Sequence, residues 1–184
     1  EYTDMLEYWL RCKAYRHTYA WNKIYRKEVF HQVRFPSGMN FEDSLTLPLI
    51  LKNCQRVATT GMGLYYYCEN PNGITRRATA EDLSCLLLAH VRAIINFERK
   101  LSRRKDKKEW EKDMGTYYAH VLNIQFDVYD KSGRFFVKSR NRRKSNIKYR
   151  FPILPYRNTF KLKLLHLLGI KRLCSLHKTF KRLS

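Results

Sequence analysis

Apolar residues recur at helical spacing from the start of the chain. Met5, Leu6, Trp9 and Leu10 form one stripe and Thr3 offers an N-cap, so residues 3–16 predict a helix. A short helix is expected over 26–31. Another begins near Glu42 and runs through "SLTLPLILKNC" despite Pro48, because paired carboxylates suit the positive end of a helix dipole. The period then changes. "RVATT" (56–60) and "GLYYYCEN" (63–70), separated by Gly61 and Gly63, read as two β-strands, and "ENPNGIT" (69–75) as a loop.

Beyond the loop, the helical period returns strongly. Residues 79–101 carry Thr79 as a cap with Glu81 and Asp82 in the first turn, and 106–130 predict a further helix, bent or broken near Gly115. The pattern as a whole predicts a mixed, helix-rich α/β fold in three parts, 1–78, 79–130 and 131–184.

Charge separates the last part from the rest. Residues 131–184 hold 17 of the 37 Lys and Arg and no Asp or Glu, which leaves 1–130 with a net charge of only +4 out of +21. Such a block attracts polyanions, either nucleic acid or an anionic membrane surface. In the tail, Phe160, Leu164, Leu165, Leu168, Leu173, Leu176 and Phe180 interleave with lysines and arginines. This is a basic amphipathic helix, or two short ones joined at Gly169. The stripe could pack on the protein's own core, contact a membrane, or do both. Residues 138–158, basic and containing Pro152 and Pro155, read as an extended connector.

Other classes find less support. The five cysteines, Cys12, Cys54, Cys68, Cys85 and Cys174, are scattered without a CxxC, which points to reduced thiols in a cytosolic setting rather than to a disulfide framework or a thiolate zinc site. No run of 18 apolar residues marks a membrane span, residues 1–20 lack the pattern of a signal peptide, and the six histidines show no metal-binding spacing.

One stretch stands apart from this background. "RFPSGMNFEDS" (34–44) places Glu42 and Asp43 side by side after an aromatic residue and a glycine turn, in a chain with only 16 acidic residues. Its neighbours form an ordered series: a W-N-K-x-Y turn at Trp21–Tyr25, an R-F-P-x-G turn, the E-D pair opening a helix, an L-Y-x-Y segment and a loop ending in Gly-Ile-Thr. Over residues 20–75 this series resembles the C-terminal part of the catalytic domain of family 2 glycosyltransferases, the inverting GT-A fold enzymes that build bacterial surface polysaccharides.

The resemblance implies chemistry residue by residue. Asp43 would be the base that takes the proton of an attacking acceptor hydroxyl, and Glu42 a neighbour that binds acceptor or raises the Asp43 pKa. Trp21, Asn22 and Lys23 would contact substrate, the indole stacking on sugar C–H groups and the ammonium meeting phosphate or a carboxylate. Arg76 and Arg77 would clamp the donor diphosphate. Each has a plainer reading: helix-terminal charges for Glu42 and Asp43, a core aromatic for Trp21, a positioning salt bridge for Lys23, solvated cations for the arginines.

Complete enzymes of the family also carry a nucleotide-binding half ending in a D-x-D motif that holds a divalent metal, Mg or Mn, against the diphosphate. No D-x-D occurs in this sequence and few residues precede Trp21. The expectation is therefore an acceptor-side fragment that holds no metal and is silent alone. Its partners would be a nucleotide-sugar donor, a glycan or lipid-linked acceptor and, through the tail, the inner face of the cell membrane. The alternative is a basic docking module without catalysis, with nucleic acid the weaker partner because leucines rather than base-stacking aromatics separate the cations.

Overall fold

A computed structural model describes residues 1–63, 65–138 and 149–183. Five α-helices dominate: α1 (Met5–Leu10), α2 (Glu42–Asn53), α3 (Ala80–Leu101), α4 (Glu111–Ser132) and α5 (Phe160–Leu183). Short 3-10 turns cover Ala14–Arg16, Lys27–Phe30 and Lys107–Trp110. α3 and α4 pack along one another, with α2 against α3 and α5 against α4.

The α/β expectation is corrected. The described residues are 56% helical and no strand or sheet forms among them, so the chain is not an α/β domain of the GT-A type. Strands need partners. Among the described residues the 56–60 segment finds one only at Tyr2, where Tyr2 and Val57 exchange backbone hydrogen bonds of 2.7 and 2.9 Å in an isolated antiparallel bridge. In the 63–70 segment, whose Leu64 lies outside the described residues, Tyr65 and Tyr67 turn their rings onto Trp21 instead of entering a ladder.

Three local readings also change. α1 is capped by Asp4, not Thr3, its carboxylate accepting from the Leu6 N–H at 2.8 Å, and the helix stops at Leu10 before Lys13 takes a left-handed φ of 56°. The predicted 26–31 helix is a 3-10 turn. Gly115 does not bend α4. It is buried in the second turn of the helix, where a Cβ would lie 1.8 Å from the Asn158 Oδ1, so hydrogen there admits the connector against the helix.

The cap at α3 forms as expected. Thr79 and Asp82 make a reciprocal capping box, and Asn40 donates to the Asp82 Oδ1 at 2.8 Å, tying the turn before α2 to the start of α3. One core joins these elements: Trp9 from α1, Leu47 and Leu51 from α2, Ile94 and Phe97 from α3, Tyr117 and Val121 from α4, Leu162 and Leu165 from α5. His90 lies in it neutral, burial driving its pKa down to about 3, with Nδ1 at 3.1 Å from the Tyr117 hydroxyl. The connector has no regular secondary structure where described, at 149–158; its residues 139–148 lie outside the described residues.

Candidate functional site

Asp43 is the second residue of α2. The chain reaches the helix through Gly38 (φ 72°) and Phe41 (φ 60°), a pair of left-handed residues that turn the backbone sharply before Glu42. Phe41 supplies no side-chain cap, so the first N–H groups of the helix lack their usual partner. Asp43 answers one of them, its Oδ1 accepting from the Ser44 N–H at 2.7 Å. The Ser44 hydroxyl meets the Thr18 hydroxyl at 2.7 Å, a buried contact that fastens α2 to the segment leading into Trp21.

Burial and charge act against each other at this carboxylate. Burial raises the Asp43 pKa above its ordinary value, the neighbouring Glu42 adds to the rise, and the Ser44 hydrogen bonds and Lys23 oppose it without cancelling it. A carboxylate serving only the helix dipole would shift the other way. Tyr25 stands near enough to feel the Asp43 charge, its hydroxyl pushed up to about 12 mainly by burial.

Lys23 is the clasp of the preceding turn. Its ammonium donates to the His17 carbonyl, to the Tyr19 carbonyl at 2.8 Å and to the Asn22 Oδ1 at 2.6 Å. Burial lowers its pKa to about 8, offset in part by Asp43. Carbonyls rather than the carboxylate therefore hold this cation, and Asn22 is engaged in holding it.

Trp21 is no core aromatic. It is 41% exposed and stacks on Tyr19 at 5.3 Å and on Tyr67 at 4.8 Å, with Tyr65 tilted against it at 5.0 Å. The result is an open aromatic cluster in which the tyrosines share the outward surface. The two arginines belong to the 69–77 loop. Arg76 pairs with Glu69 at 3.2 Å within its own loop, and Arg77 is exposed.

The structure thus brings Trp21, Asn22, Lys23, Glu42 and Asp43 into one neighbourhood, while Arg76 is engaged by Glu69 within its own loop. Sequence reading missed the Thr18–Ser44 hydroxyl pair, whose members are 26 positions apart with no motif to link them. Among the described residues no His, Cys, Asp or Glu side chains converge as a metal site would require. The divalent metal stays an expectation for a segment bearing a D-x-D motif.

A groove of about 420 Å³ lies at the opposite end of α2, lined by Asp4, Leu51, Lys52, Cys54, Lys100 and Arg104. Its guanidinium is committed, Arg104 bridging Asp4 and Asp106. No family model, no curated protein and no solved structure matches the chain.

Proposed function

We propose that the chain is the acceptor-side part of an inverting glycosyltransferase, in which Asp43 is the general base. In the reaction the acceptor oxygen forms a bond to the anomeric carbon as the bond to the nucleotide diphosphate breaks on the opposite face. The acceptor proton passes to Asp43. A base works best when its pKa approaches the working pH while it remains ionised, so a carboxylate held above its ordinary value is better suited than an exposed one.

The observation that carries this reading is that half-buried carboxylate beside Glu42, Tyr25 and the Lys23 clasp. The open Trp21 and tyrosine cluster supports it, since flat aromatic faces suit the apolar C–H faces of a sugar. Lys23 acts here by holding the 17–23 turn in place, and Arg76 and Arg77 become donor contacts only if their loop closes on bound diphosphate.

The test uses the natural full-length protein with nucleotide-sugar donors and saccharide acceptors. Release of nucleoside diphosphate that depends on acceptor, together with a product of inverted anomeric configuration by NMR, is the expected result. A retained configuration, or no acceptor-dependent release from any nucleotide-sugar, would overturn it.

A further inference from the structure

α5 has two apolar faces where a packed helix needs one. Leu162, Leu165, Leu173 and Cys174 are buried and complete its contact with the body. A second set remains outside. In the first half Phe160 and Leu167, seven positions apart, are exposed while Leu164 between them is half-buried against the core, and in the second half Leu176, Phe180 and Leu183 recur at i, i+4, i+7. Leu167 is 77%, Phe180 68% and Leu183 80% exposed. Gly169, with φ 71° and open space around it, separates the halves, so each presents its own apolar row.

The helix is held firmly on its inner side. Lys161 donates to Asn123, Lys178 to the Tyr129 carbonyl, and Lys181 pairs with Asp130 at 3.0 Å beside His177, which stacks on Phe126. The outer rows are therefore shown by a docked helix rather than a loose tail. Between them stand Lys163, Lys171, Arg172 and Arg182, exposed and in no ion pair among the described residues. No acidic residue lies anywhere in 131–184.

We propose that the outer face of α5 docks on an anionic lipid bilayer, lying in the interface with its apolar rows among the acyl chains and its free cations at the headgroups. A bilayer is the partner that satisfies both features at once. Leucine rows gain by leaving water, and Lys and Arg are attracted to an anionic surface. Nucleic acid would meet the cations and leave the leucines wet, since they offer no plane on which a base could stack. No described helix is long and apolar enough to cross a membrane, so the contact is with one leaflet. The inference does not depend on Asp43 or on the transfer reaction.

The experiment is co-sedimentation of the full chain with phosphatidylcholine vesicles, with and without phosphatidylserine. Binding is expected to the mixed vesicles and to be weak or absent on phosphatidylcholine alone. The double substitution Leu167→Ser and Phe180→Ser, at exposed positions, should lower partitioning about tenfold or more with circular dichroism and Tm unchanged. Lys163→Glu with Arg172→Glu should lower it similarly. Failure to bind mixed vesicles would overturn the proposal. So would binding that the serine pair leaves intact, as a purely electrostatic polyanion contact would, or equal binding to duplex DNA. Concentration-dependent self-association abolished by the serine pair, without vesicle binding, would assign the face to a second copy of the chain.

Discussion

Asp43→Asn in the full-length protein is expected to lower turnover by about 10²–10⁴-fold, the usual contribution of a positioned general base. The folded protein should survive the change and gain from it. The amide keeps an oxygen for the Ser44 N–H and removes a charge that burial disfavours. The sign follows from the direction of the shift. A carboxyl whose pKa is higher folded than unfolded makes its ionisation costly to the fold, and that cost is present above the folded pKa.

Asp43→Asn should therefore raise Tm at neutral pH by about 1–3 °C. The difference should narrow as pH falls toward the ordinary value of 3.8. In the unsubstituted protein the acid limb of kcat/KM should lie above the usual carboxylate range. Normal turnover in the variant would remove Asp43 from catalysis, and a fall in Tm would mean that its charge serves the α2 dipole. A gain in stability bought with activity is what a functional site predicts and a helix cap does not.

The second large effect is structural. Trp9→Ala should destabilise the protein by about 3–5 kcal/mol, the cost of emptying a large buried aromatic site. Trp9 is fully buried, stacks on Phe97 of α3 at 5.2 Å and meets Tyr117 of α4 edge-on at 5.8 Å. It links a helix of six residues to both α3 and α4. Against total stabilities of about 5–15 kcal/mol such a loss leaves a substantial unfolded fraction under mild urea. Trp9→Phe, which keeps the stacking on Phe97, should cost less. A loss from Trp9→Ala below about 1 kcal/mol by urea unfolding would mean that α1 does not seat on α3 and α4 as described.

The helices were legible because their signals are local. Thr79 with Asp82 forms the capping box, Glu42 and Asp43 open α2, and Gly169 breaks α5, each acting within a turn or two of its position. The two expected strands failed to form for the complementary reason. β-propensity in "RVATT" and "LYYY" is a statement about a surface awaiting neighbours, and whether a ladder forms depends on partner strands elsewhere in the chain. Among the described residues Val57 pairs with Tyr2, and the tyrosines find Trp21.

The site divides in the same way. Asp43 and Lys23 could be singled out as candidates from their order in the motif series. The carbonyl clasp of Lys23 could not, because main-chain acceptors leave no mark in a residue pattern. Gly115 was misread for a related reason: a helix glycine signals either a bend or a close approach, and only the position of Asn158 decides between them.

Carboxyl ¹³C NMR titration of Asp43 tests the central claim most directly, since the base assignment rests on a carboxylate whose burial outweighs its hydrogen bonds and its neighbouring cation. The account predicts a midpoint above 3.8, with Asp82 of the α3 capping box titrating below that value in the same sample. An Asp43 midpoint at or below 3.8 would contradict it and return the pair to the role of helix-terminal charges.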